Sequence, residues 1–174
     1  MNEFSETPPS PEALVPNVFE MAPIRETGAF KVGEFIVQAY DHLVSSLDRW
    51  CNSYFEQNGL DPTDEILEVI GYHMIELAKN AYENSEEGGR VTMEIVDDSV
   101  HVIVEDNGPG FDPIEAQGES RGGGYALAEA IGWADSITIE TCGKLYSKPK
   151  RTLKLTGTSE VTTGSRVTFT KKFR

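Results

Sequence analysis

Two cysteines in 174 residues, Cys51 and Cys142, are too few for a disulfide framework and fit no metal-ligand spacing. Both read as reduced, buried or half-buried side chains without a chemical role. Long apolar runs are also missing. None approaches the ~20 residues that span a bilayer, and the first residues lack the charged-then-apolar order of a secretory signal. Those absences point to the cytoplasm and to no membrane contact. Cations are scarce: 15 Lys and Arg stand against 29 Asp and Glu, for a net charge of -14 and a pI near 4.5. Such a surface repels a phosphate backbone, which argues against direct nucleic-acid binding. There are only three histidines. His42 sits in Asp41-His42-Leu43, which does not supply the dimerising hairpin and matching acidic-neighbour pattern a phosphoacceptor site needs, and reads as structural. What is left, 39% hydrophobic and 25% charged, is an ordinary globular chain long enough to bury a core.

The charge is uneven. Nine of the 15 cations lie between Lys144 and Arg174, beside one acid, Glu160. Residues 1–24 hold five prolines and little periodicity, and read as a flexible tail ahead of one domain, 25–174. A short strand is expected near Phe30 to Val32. From Glu34 to Gln57, Phe35, Ala39, Leu43, Leu47, Trp50 and Tyr54 mark a long helix with a broad apolar face, part of it a candidate dimer surface. Asn58-Gly59 ends it. Asp61-Pro62-Thr63-Asp64-Glu65 starts a second helix that runs to about Asn84, with Ile66, Leu67, Ile70, Met74, Leu77, Ala78 and Ala81 on its buried stripe. His73, Glu76, Asn80 and Asn84 share its polar side. Val91 to Val96 and Val100 to Glu105 form a hairpin about Asp97-Asp98-Ser99. After a glycine-rich loop comes a helix from Tyr125 to Trp133. Ser136 to Thr141, Arg151 to Thr156 and Arg166 to Lys172 are further strands, with a basic hairpin over Lys144 to Lys154. The sum is a two-layer α/β sandwich: a mixed sheet of about five strands with helices on one face.

Three stretches stand out chemically: Glu76-Leu-Ala-Lys-Asn80-Ala81 on the second helix, Asp106-Asn-Gly108-Pro-Gly110-Phe111 at a strand end, and Gly122-Gly123-Gly124-Tyr125-Ala126-Leu127 ahead of a helix. Each alone has a plain reading as a helix-surface pair, a turn or a loop. Together, in that order, they resemble the N, G1 and G2 boxes of the GHKL ATPases, the superfamily of gyrase B, HSP90, the histidine kinases and MutL. The resemblance covers about residues 64 to 170 and implies the Bergerat fold, with ATP or ADP and Mg²⁺ as ligands.

On that reading Asn80 supplies a neutral amide oxygen to Mg²⁺, and Glu76, one turn earlier, orients or deprotonates a water or protein hydroxyl near the γ-phosphate. Asp106 accepts the adenine amino group, while Gly108 and Gly110 leave room for the base. Gly122, Gly123 and Gly124 present backbone N–H groups to phosphate, with Tyr125, Ala126 and Leu127 completing the box. Asn84, Phe111 and Arg121 line the same site, Arg121 as a candidate γ-phosphate contact, and Thr168 resembles the family's threonine near the adenine. About ten residues separate Phe111 from Arg121, a short lid similar to that of the anti-sigma-factor serine kinases. The implied role is a stand-alone serine/threonine kinase or anti-sigma-like regulator whose partner is a sigma factor or an antagonist of that regulation. Tyr82-Glu83-Asn84 departs from the family, where a basic residue often follows the asparagine to meet phosphate. That departure keeps open a non-catalytic ATP-sensing module, or a histidine-kinase-like ATPase domain without a phosphoacceptor.

Overall fold

The computed structural model describes residues 15–22, 34–85, 88–117 and 124–174, with backbone only at 34–40, 124 and 125. In chain order the elements are β1 (Val18–Met21), α1 (Glu34–Gln57), α2 (Glu65–Asn84), β2 (Gly89–Val96), β3 (Ser99–Asp106), α3 (Pro113–Ala116), α4 (Gly124–Trp133), β4 (Ser136–Thr141), β5 (Lys144–Ser147), β6 (Lys154–Thr158) and β7 (Ser165–Lys172).

The two-layer sandwich is as expected, but its sheet is larger and simpler than the mixed, five-stranded one. Seven strands run in the order β1-β2-β3-β7-β4-β5-β6, and every neighbouring pair is antiparallel. The two extra strands are one edge, β1, and β5, the neighbour of the other edge. β1 lies inside the stretch that proline content assigned to a tail. It is held by tertiary contacts: the Trp50 indole donates to the Pro16 carbonyl at 2.8 Å, and Met93 N–H donates to Asn17 at 2.9 Å. β5 falls in the basic hairpin, and of its four residues only Leu145 and Tyr146 are apolar. The strand expected near Phe30 lies outside the described residues.

Helix α1 ends as its sequence requires, with Gly59 at φ 73° accepting the left-handed turn and Leu60 N–H bonded to the Phe55 carbonyl at 3.0 Å. Helix α2 starts later than the Asp-Pro-Thr run suggested. Asp64 is the N-cap, its carboxylate accepting Ile66 N–H at 2.9 Å, because Asp61 is engaged in a turn with Thr63. One core joins the layers. Leu47, Phe55, Ile70, Met74 and Ala78 pack onto Val91, Met93, Val100, Val102 and Phe169 from the sheet. Among these, the fully buried aliphatic and aromatic groups contribute on the order of 2 kcal/mol each.

Cys51 is buried in this core, and burial, aided by the charge of Asp48, pushes its thiol up to about 12, so it is inert as a nucleophile. Cys142 departs from expectation: it is exposed, on the β4–β5 turn. Helix α4 is terminated by lysines from outside it. Lys148 donates to the Ile131 carbonyl at 2.7 Å and also to that of Ala134, and Lys171 to that of Trp133 at 3.0 Å. No helix among the described residues is long and apolar enough to cross a membrane.

Candidate functional site

Strand β3 delivers Asp106 to the end of the sheet on the face that carries the helices. Its register places it opposite Ser165 of β7, in phase with the buried Val102 and Val104. One carboxylate oxygen accepts Gly108 N–H at 2.8 Å, and the other accepts the Ser165 hydroxyl. Each oxygen keeps a further lone pair, so the group is oriented and still open to an incoming N–H donor.

The glycines after it are fixed by what surrounds them. A Cβ on Gly108 would lie 2.5 Å from the Asn84 carbonyl oxygen, so this loop rests directly on the last turn of α2. Gly110 has φ 77°, and a Cβ there would meet the Thr141 hydroxyl at 2.6 Å and the Cys142 sulfur at 2.7 Å. The Phe111 N–H donates to the Thr141 hydroxyl at 3.1 Å, and Gly164 N–H donates to the Gly108 carbonyl at 2.8 Å. The Gly-Pro-Gly loop is therefore clasped between α2, the β4–β5 turn and the start of β7.

Helix α2 forms the other wall. Glu76 and Asn80 are half-buried, a turn apart. Glu76 accepts from Lys79 at 2.7 Å. Asn84 is exposed and turns its amide back onto the Asn80 carbonyl at 2.7 Å, serving the helix end. His73, grouped by sequence with this polar side, is instead buried under α4. It lies 4.8 Å from the Trp133 ring and 5.2 Å from that of Tyr72, with Nδ1 unpartnered among the described residues. Burial lowers its pKa, against the opposing charges of Glu129 and Glu76.

The third box is only partly on view. Arg121, Gly122 and Gly123 lie outside the described residues, and of Gly124 and Tyr125 only the helical backbone is described. Ala126 and Leu127 are buried, Leu127 in the main core. The stretch between Phe111 and Arg121 contains a short helix, α3, capped by Asp112.

Thr168 does not stand beside Asp106. It pairs with Ile103 in β3 and therefore projects from the opposite face of the sheet. The hydroxyl in that place belongs to Ser165, which sequence reasoning missed. Its signal was there: Gly164-Ser165 opens the last strand, and an antiparallel β3–β7 pair brings that start to the end of β3. Thr141 was missed as well, since nothing local marks it as a clasp.

These residues suit an adenine nucleotide. An oriented carboxylate stands at a strand end, held by a glycine loop that packs on α2 and on Thr141. Among the described residues no three His, Cys, Asp or Glu side chains converge as a metal cage. A divalent ion here would depend on Asn80 and on the phosphates themselves.

Comparison with known proteins agrees with the geometry. No curated protein matches the chain. A family model described as Histidine kinase-, DNA gyrase B-, and HSP90-like ATPase matches residues 70–174, from the middle of α2 through β7. That span contains Asp106, Gly108, Gly110 and the Glu76 to Asn80 segment. The chain carries an ATP-binding module and belongs to the family of histidine kinase-, DNA gyrase B- and HSP90-like ATPases.

Proposed function

We propose that the protein is a cytoplasmic regulator that binds ATP with Mg²⁺ and acts on a protein partner, as a serine/threonine kinase or as an anti-sigma-like binder that grips its partner only when loaded. The observation that carries the nucleotide half is the Asp106 carboxylate, held by Gly108 and Ser165. Its free lone pairs accept the adenine amino group, and the glycine loop packed on Asn84 fixes where that carboxylate stands. Asn80 holds the Mg²⁺, which neutralises phosphate charge when bound. The Glu76 carboxylate takes the proton of a serine or threonine hydroxyl presented to it, once Lys79 turns from Glu76 toward phosphate.

A specific contact favours a second reading, an ATP-sensing module without turnover. Glu76 is held by Lys79 at 2.7 Å, and Tyr82-Glu83 occupies the place where a cation would meet phosphate. The Lys79 ammonium occupies a Glu76 oxygen that a substrate hydroxyl would have to approach. Calorimetric titration with ATP, with and without Mg²⁺, tests the common part. Saturable binding that Asp106→Asn abolishes is expected, and undiminished binding by that variant rejects the site. Labelled ATP with candidate protein substrates then separates the readings. Transfer that is lost in Glu76→Gln supports the kinase; tight binding with no transfer supports the sensor.

A further inference from the structure

We propose that the exposed edge of β6, with the cations around it, is a docking surface for an acidic segment of a partner protein in extended conformation. β6 ends the sheet opposite to β1. All five of its residues are exposed, Leu155 at 56%, so neither sheet face is covered there. The hairpin is nonetheless firmly placed, because Tyr146 and Leu153 beside it are buried in the core. An edge strand fixed in this way presents a row of backbone donors and acceptors to a further strand.

The charges around that edge are not used by the fold. Of the nine cations between Lys144 and Arg174, Lys148 and Lys171 cap α4. Arg166 is bound to Glu105 and Glu140, and Lys172 faces Asp98 at 4.0 Å. Lys144, Lys150, Arg151 and Lys154 are exposed, and none has an ion pair among the described residues. Lys150, Arg151 and Lys154 stand at the entry of β6, and Lys144 stands across from Thr158 at its exit. A basic edge on a chain of net charge -14 selects for acid locally while the rest of the surface repels it.

Two other occupants fit less well. A second copy would bring its own Lys150, Arg151 and Lys154 against these, like against like. The first 14 residues of this chain are acidic but contain Pro8, Pro9 and Pro11, which lack the N–H a ladder needs. The register shift at Leu145 and Tyr146 limits a ladder to the residues on either side of it, and the lysine on the strand and the cations beside it are charge devices that deter neutral or basic strands. They do not deter an acidic one. The test of this edge uses no nucleotide, so its failure and the failure of the nucleotide site are told apart.

The test is a titration of the full chain, without nucleotide, with a labelled short peptide alternating glutamate and valine. We expect saturable binding that weakens at least about tenfold in Lys150→Glu/Arg151→Glu/Lys154→Glu and as salt is raised past about 0.3 M. The same peptide with alternate backbone nitrogens methylated keeps its charge and loses its ladder, and it should not bind. Because the three sites are exposed, thermal melts of the variant should match wild type. Equal binding by the methylated peptide, undiminished binding by the variant, or equal affinity for an oligonucleotide of the same charge overturns the proposal. So does self-association of the unliganded chain that the three reversals abolish, since the occupant is then a second copy.

Discussion

The Thr141 hydroxyl accepts the Phe111 N–H at 3.1 Å and donates to the Gly164 carbonyl at 3.3 Å. One fully buried side chain thus ties the loop that follows Asp106 to the turn that precedes β7. Both loops border Asp106, so their separation beside that carboxylate is set by a buried threonine.

Replacing that residue by a shape-matched apolar one isolates the tie. Thr141→Val leaves the Phe111 N–H without its acceptor in a buried setting, at a cost of about 1–3 kcal/mol. The melting temperature should fall by several degrees, at about 2–4 °C per kcal/mol for a chain of this size, and ATP affinity should fall with it. A variant that melts lower but binds ATP as tightly as wild type would show that the tie serves the fold alone.

Ser165 gives a sharper test, because Thr168 is its built-in control. Ser165→Ala removes the donor to one Asp106 oxygen and lets the carboxylate rotate. A loss of about 1 kcal/mol corresponds to roughly fivefold weaker ATP binding by calorimetry. Ser165→Thr should restore it. Thr168→Ala, on the far face of the sheet, should leave affinity unchanged. If the Thr168 variant is the one that loses affinity, the placement of the adenine is wrong.

Much of this was legible from the chain. The span Glu34–Gln57 was read from apolar spacing and is α1 residue for residue. Of the stripe on α2, only Ile66 proved exposed, at 38%, because it sits at the helix start beyond the sheet. Asp106 and its glycines were found because strand-end acid and turn glycines are local signals. What was not legible depends on partners distant in sequence. β1 exists because Trp50 and Met93 hold residues 16 and 17. β5 exists because Ile139 offers Tyr146 a neighbour. Ser165 lies 59 residues from the carboxylate it serves, and only the sheet order joins them. His73 looked like a member of the polar side until α4 covered it.

That cover has a pH consequence. His73 is buried between Tyr72 and Trp133, and burial holds its pKa below the ordinary 6.5 despite Glu129 and Glu76. When the folded value is the lower one, the unfolded chain takes the proton first. Stability is therefore unaffected by this group above pH 6.5 and declines as pH falls from there toward the folded value. Melting curves of wild type and His73→Phe should run parallel above pH 6.5 and draw together or cross below it, the phenylalanine form being the less sensitive. Parallel curves down to about pH 5 would mean that His73 charges freely in the folded protein.

On the outer face of the sheet, consecutive strands place Arg90, Glu105, Arg166 and Glu140 side by side in register. Glu105 is the centre, bonded to Arg90 and to Arg166 at 2.7 Å, and Arg166 reaches Glu140 at 3.4 Å. Burial pushes the Glu105 carboxyl up, but the two guanidiniums outweigh it and hold the pKa below the usual 4.5. A group whose folded pKa is depressed contributes stability that is full above the unfolded value and lost as pH falls through the folded one. The arginines are partly exposed, so each pair is worth about 1 kcal/mol or less. Glu105→Gln should thus lower the melting temperature by a few degrees at neutral pH. That deficit should shrink in high salt and diminish as pH falls from about 4.5 toward the lower folded value. A deficit that stays constant down to about pH 3 assigns the stabilisation to packing of the side chains, with their charges contributing nothing.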